Sequence, residues 1–187
     1  MTEVSRPAYV LVDGENIDAT LGASILGRRP QPAERPRWER LLQFTAEQWG
    51  CEPAGLFFLA VNADMPMSFV QALIAIGYRP IPLSGAANEK VVDIAIQRTL
   101  EELVTRDADV LLVSNDGDFT GQVEALLGGS RRVGVAGFTE FRNHGFDDLV
   151  PRGLETFDLE DDVRAFQSRL PRVRIIPIDE FDPRDFL

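Results

Sequence analysis

Two uniformly apolar runs, Tyr9-Val10-Leu11-Val12 and Val110-Leu111-Leu112-Val113, set the strongest limit on what this chain can fold into. A strand with one wet face alternates apolar and polar residues, whereas a strand covered on both faces does not. Both runs therefore predict central strands of a parallel sheet with helices above and below. Further strands are expected over Gly55 to Val61, Arg79 to Leu83 and Arg131 to Gly137, with the first two widened to Ala8 to Val12 and Val110 to Ser114. Helical spacing fills the gaps between them. Arg37 to Trp49 puts Trp38, Leu41, Leu42, Thr45 and Trp49 on one face, and Pro66 opens a helix to Ile76. Asn88 is expected to cap a long helix to Thr105, and Gly128-Gly129 ends one running from Phe119 to Leu127. Regular alternation of strand and helix is the mark of an α/β fold, here a three-layer sandwich with a central parallel sheet of about five strands. Pro151 to Phe157 offers a further edge strand, and Leu159 to Leu170 a terminal helix.

With 187 residues the chain suits one domain with a sizeable core. The expected division is a domain over 1–158 and a C-terminal helix with an acidic tail over 159–187. No repeat or low-complexity tract interrupts it. Met1 to Pro7 is polar and the apolar run after it is too short for a secretory leader, while no segment has the length of a membrane span. The expectation is a cytoplasmic protein without a membrane partner. Cys51 is the single cysteine, so no internal disulfide forms. Arginine outnumbers lysine eighteen to one, which points to a GC-rich, bacterial genome.

Each apolar run is closed by acids. Asp13 follows the first directly, and Asp116 and Asp118 follow the second after Ser114-Asn115. In an open parallel sheet, ligands bind beyond the carboxyl ends of the strands, where strand order reverses. Asp93 adds a carboxylate in the first turns of the long helix. Carboxylates gathered at one place repel one another, so such a well points to a hard divalent cation, Mg²⁺ or Mn²⁺, and to phosphate chemistry. Asn16 can aim an amide at the same point, and Lys90, the only lysine, shares a helix face with Asp93. Taken singly, these residues have plainer readings: Asp116-Gly117-Asp118 is also a common turn and cap, Asn16 a common helix cap, and Lys90 a common surface ion-pair partner. His144 reads as a surface loop residue.

Net charge argues the other way. At −11, the chain lacks the overall basic character of a protein held to nucleic acid by phosphate neutralisation. Any such contact must be local. Arg28, Arg29, Arg35, Arg37 and Arg40 crowd one proline-broken stretch after the first strand, and Arg142 lies after the fifth. Arg28, Arg29, Arg37 and Arg142 are the candidates to guide a nucleic-acid strand. A homodimer is one way for so acidic a chain to build a groove. The acidic tail, rich in isoleucine and phenylalanine, is a candidate docking segment for a protein partner.

Val10-Leu11-Val12-Asp13-Gly14-Glu15-Asn16, Lys90-Val91-Val92-Asp93-Ile94-Ala95 and Ser114-Asn115-Asp116-Gly117-Asp118-Phe119, in that order and followed by Arg131-Arg132-Val133-Gly134-Val135, resemble the NYN family, in its LabA-like branch of the PIN-like nuclease superfamily. The resemblance covers roughly Ala8 to Val150. It implies a PIN-like sandwich and divalent-metal-dependent RNA cleavage by an activated water. Asp13, Asp93, Asp116 and Asp118 would be the metal-holding acids, with Asn16 and Lys90 acting on the phosphate. Two positions depart from the family pattern. Asn115 stands where glycine is usual, which asks the asparagine to take up a left-handed turn. Thr99 stands where a further aspartate is frequent. Two rivals remain: a non-catalytic regulator on the same fold, and a phosphatase or receiver-like domain. The second lacks the paired acids and late lysine such proteins need.

Overall fold

The computed structural model describes residues 6–61 and 66–187; most of the polar opening stretch from Met1 lies outside the described residues. Six strands form one all-parallel sheet: β1 (Ala8–Asp13), β2 (Pro53–Ala60), β3 (Tyr78–Leu83), β4 (Asp109–Val113), β5 (Val133–Gly137) and β6 (Glu155–Asp158). Their order is β3-β2-β1-β4-β5-β6, so the chain winds outward from β1 in one direction, returns, and winds outward in the other. The sixth strand is the edge strand read from Pro151 to Phe157, beginning four residues later.

The two apolar runs lie side by side at the centre, with Val12 opposite Val113. Side chains of a strand alternate between faces. Val10, Val12, Leu111 and Val113 enter one core, and Leu11, Val110 and Leu112 enter the other. The first core is closed by α1 (Gly14–Ala19), a π-helical stretch over Thr20–Leu26, α2 (Trp38–Trp49) and α3 (Met67–Ala75). The second is closed by α4 (Val91–Val104), α5 (Thr120–Leu126) and a 3₁₀ stretch over His144–Arg152. The result is the three-layer PIN-like sandwich the sequence predicts.

Local chemistry sets the ends of these elements. In α2, Trp38, Leu41, Thr45 and Trp49 are buried as their spacing requires, and Gly50 ends the helix at φ 63°, a conformation that favours glycine. Leu41 is fully buried, which stabilises the fold by roughly 1.5–3 kcal/mol relative to an exposed side chain.

Two expected elements differ. α4 starts at Val91 with Lys90 as its cap, three residues after Asn88. The Glu89 carboxylate accepts the Ala86 N–H at 3.0 Å and closes a turn there, so the helix begins beyond it. The terminal helix over Leu159 to Leu170 does not form. Asp158 accepts the N–H groups of Glu160 and Asp161, Asp162 accepts the Asp158 N–H, and Arg164 takes φ 56°. The segment packs as turns instead, with Leu159, Val163, Phe166 and Leu170 in the first core. Among the described residues no helix is long and apolar enough to cross a membrane.

Candidate active site

β1 and β4 are adjacent in space but distant in sequence, and the crossovers leave β1 in opposite directions. Their carboxyl ends therefore open a crevice at the point where strand order reverses. Asp13 ends β1, is 2% exposed, and caps α1 by accepting the Asn16 N–H on Oδ1 at 3.3 Å. Ser114, the first residue past β4, is fully buried. Its hydroxyl donates to Asp13 Oδ2 at 2.9 Å and accepts the Asp116 N–H at 3.1 Å. Asp116 Oδ1 accepts the Asp118 N–H at 2.9 Å, which folds the turn back on itself. The first turn of α4 supplies Asp93.

Carboxylate oxygens of Asp93, Asp116 and Asp118 all lie within 4.8 Å of one another. A cavity of about 300 Å³ opens beside them, with Asp13, Asn16, Lys90, Asp93 and Asp116 in its wall. Three hard oxygen donors this close, with a fourth acid adjoining, fit a hard cation better than a soft metal.

The electrostatics carry the same sign. Burial pushes the Asp13 carboxyl up to about 6, with Asp93 and Asp116 adding repulsion and the bonds from Ser114 and Asn16 opposing the rise. Burial also raises Asp93, again with a contribution from Asp116, while Lys90 counters it. Lys90 Nζ lies 3.6 Å from Asp93 Oδ2 and 3.7 Å from Asp118 Oδ2, and these carboxylates raise its own value. Its side chain is largely exposed, so it reaches the rim of the well.

Thus Asp13, Asn16, Lys90, Asp93, Asp116 and Asp118 converge as read from the sequence. The cavity wall does not include Arg28, Arg29, Arg37 or Arg142. Arg28 is paired with Glu34 at 2.5 Å, and the neighbouring Arg35 with Asp18 at 2.7 Å. Arg29 and Arg37 are exposed. Arg142 is buried, its Nη2 3.6 Å from Asp147. Thr99 spends its hydroxyl on the Ala95 carbonyl and lines a separate crevice with Tyr9, Leu56 and Arg98.

The sequence reading missed three contributors. Ser114 appears in it as a motif letter only, although it links Asp13 to Asp116. Glu15 and Glu89 also border the cavity, and Glu15 accepts the Ala60 N–H at 3.3 Å. Their acidic type was the available signal, but their neighbours depend on strand register. Asn115 departs from expectation as well: Arg164 is the only non-glycine at positive φ among the described residues, so Asn115 does not take a left-handed turn.

A family model described as the NYN domain matches residues 7–150. Among solved structures, the chain is similar to a protein of unknown function from Vibrio parahaemolyticus, 18% identical, with a TM-score of 0.65 over 87% of this chain and 98% of that one. That likeness is one of fold. No curated protein matches the chain.

Proposed function

Because this chain belongs to the NYN domain family, we propose that it is a divalent-metal-dependent ribonuclease of the LabA-like branch, using Mg²⁺ or Mn²⁺. The observation that carries the reading is the close approach of Asp93, Asp116 and Asp118 at the switch point of the sheet, with Asp13 buried beside them. In this reading the trio holds the ion, and Asp13 completes the set directly or through water. A bound ion would supply an activated water and a Lewis acid for a phosphate oxygen.

The protein's own groups have separate tasks. Ser114 holds the Asp13 carboxylate against the Asp116 backbone, and the Asp118 N–H holds the Asp116 carboxylate. Lys90, exposed at the rim, offsets charge on an incoming phosphate. Asn16 hydrogen-bonds the phosphate or a water. The exposed Arg29 and Arg37 guide the RNA strand, with Arg28 available on exchange of its Glu34 partner, while burial keeps Arg142 from that role. In-line attack would leave a 5′-phosphate and a 3′-hydroxyl. The proposed setting is a bacterial cytoplasm.

The test is cleavage of single-stranded and structured RNAs with Mg²⁺, Mn²⁺ or chelator, comparing wild type with Asp13→Asn/Asp116→Asn. Metal-dependent cutting lost in the double variant supports the nuclease. If neither cutting nor calorimetric metal binding is detected, the reading fails.

One observation favours a second reading, a non-catalytic regulator. The tail exposes Val173, Ile175 and Ile178 at 90%, 99% and 87% among several carboxylates, as a protein-docking segment would. Such a regulator would keep its partner, whether another protein or a second copy, after loss of metal binding.

A further inference from the structure

Asn115 is 6% exposed and sits in the turn between β4 and Asp116. Its backbone N–H points at the Asn16 side chain at 2.9 Å. A backbone N–H can only donate, so the Asn16 atom facing it is Oδ1. The same logic fixes the second amide. Phe138 N–H donates to Asn115 Oδ1 at 2.8 Å, which turns Asn115 Nδ2 toward Asn16 Oδ1 at 3.4 Å and Thr20 Oγ1 at 3.3 Å. Two backbone donors thus orient both amides.

Space has been cleared for this arrangement. A Cβ on Gly137, at the end of β5, would lie 2.4 Å from Asn115 Oδ1. Only a glycine there lets the amide reach the Phe138 N–H unhindered.

The consequence concerns Asn16. Its carbonyl receives both donors from Asn115, while its NH₂ makes no hydrogen bond within the protein among the described residues. Asn16 also lines the acidic cavity. What it offers there is a donor, which matches an oxyanion or a water lone pair and is unsuited to ligating a cation. We propose that Asn115 is a positioning residue that holds Asn16 as a hydrogen-bond donor to a non-bridging phosphate oxygen, and that Asn16 is not a metal ligand. This rests on reading the cavity as a phosphodiester-cleaving site.

The test is a double-mutant cycle on RNA cleavage, run beside Mn²⁺ titration calorimetry. Asn16→Ala is expected to lower kcat by about 100-fold with KM little changed, as loss of one donor to developing charge does. Asn115→Ala is expected to lower kcat by about 10-fold, the scale of a lost supporting contact. Because Asn115 acts through Asn16, the double variant should match Asn16→Ala. Multiplying effects would overturn the proposal, and so would a fall in Mn²⁺ affinity for Asn16→Ala beyond the ~10- to 100-fold that a lost outer contact is worth.

Asn115→Asp keeps the shape and the acceptor for Phe138, and replaces Asn115→Ala if that variant does not fold. If wild type binds Mn²⁺ but cuts no RNA, the nuclease reading falls and the amide geometry is still decided by NMR. The Asn16 NH₂ signals, identified by their loss in Asn16→Asp, should shift in Asn115→Asp. Signals that stay in place would overturn the positioning role.

Discussion

The Ser114 hydroxyl lies 2.9 Å from Asp13 Oδ2 and joins the ends of two strands that are 101 residues apart in sequence. Among the described residues it is the sole side-chain donor to a carboxylate that is 2% exposed, and it also receives the Asp116 N–H. One hydroxyl therefore couples a buried acid to the turn that carries two more.

Ser114→Ala should raise the Asp13 carboxyl further above about 6, because it removes the strongest opposing hydrogen bond. Leaving a buried acceptor short of its donor costs about 1–3 kcal/mol of stability. Metal affinity should fall by about 10- to 100-fold, as is usual when an outer-shell partner is lost. Carboxyl NMR titration of Asp13 and Mn²⁺ calorimetry on both proteins check this. An unchanged Asp13 titration would contradict it.

The raised Asp13 value also sets a pH dependence with a definite sign. From the ordinary value of 3.8 up to about 6, the unfolded chain gives up this proton while the folded chain keeps it. The folded state then binds more protons, so stability of the metal-free protein falls as pH rises through that window and levels off above it. The loss from this group is on the order of 3 kcal/mol at most. A divalent cation binds the ionised form, so Mg²⁺ or Mn²⁺ should reverse the fall above pH 6, and Asp13→Asn should flatten the profile. Thermal unfolding from pH 4 to 8, with metal or chelator, measures all three.

The centre of the fold was legible because burial on both faces leaves a direct mark: Val10-Leu11-Val12 and Val110 to Val113 have no polar residue to mislead. The acids at their ends follow from topology, since Asp13 and Asp116 must meet once β1 and β4 are neighbours. Hydrogen-bond choices were not legible. Leu159, Val163, Phe166 and Leu170 have helical spacing and are buried, yet Arg164 takes φ 56° and the Ala165 N–H bonds the Leu159 carbonyl, which breaks the helical ladder. Asn88 looks like a cap, but the Glu89 carboxylate closes the preceding turn first. Charges on Arg28 and Arg35 were visible in the sequence, and their partners Glu34 and Asp18 were not.

Two glycines should respond in opposite ways to alanine. At Gly137 the added methyl would meet Asn115 Oδ1 at 2.4 Å, inside a buried hydrogen-bonded turn. Displacing that turn is expected to cost about 1–3 kcal/mol, the usual range for overpacking, and to lower metal-dependent cleavage. At Gly121, within α5, a Cβ meets nothing within 4 Å. Alanine there should stabilise by about 0.5–1 kcal/mol through its helix preference. Urea unfolding of the two variants gives the comparison, and Gly137→Ala as stable as wild type would show that the turn yields without cost.

Arg172 anchors the chain beyond β6. Its side chain is 2% exposed, bonds both oxygens of Asp158 at 2.8 and 2.6 Å, reaches Glu140 and Glu160, and lies over the Phe138 ring at 5.2 Å. Asp158 is buried, yet the Arg172 guanidinium and the Thr139 and Asp161 N–H groups outweigh the cost of burial and hold it well below the usual carboxylate range. A depressed carboxylate contributes stability that is complete above its unfolded value, here 3.8, shrinks as pH falls from there, and is gone below the folded value. Wild type should therefore lose this contribution progressively as pH falls below 3.8, although folded Asp158 itself stays ionised. Arg172→Met retains an apolar stem over Phe138 but leaves buried Asp158 with only the more exposed Arg174, at 3.0 Å, as its cation, a loss of at most about 3–5 kcal/mol. It should also raise the pH of acid unfolding and free the segment from Val173 onward. Acid titration by circular dichroism, with limited proteolysis after Arg174, reads both effects. If the acid midpoint does not move, the stability of this end of the sheet comes from Phe138, Phe166 and Leu170 packing alone.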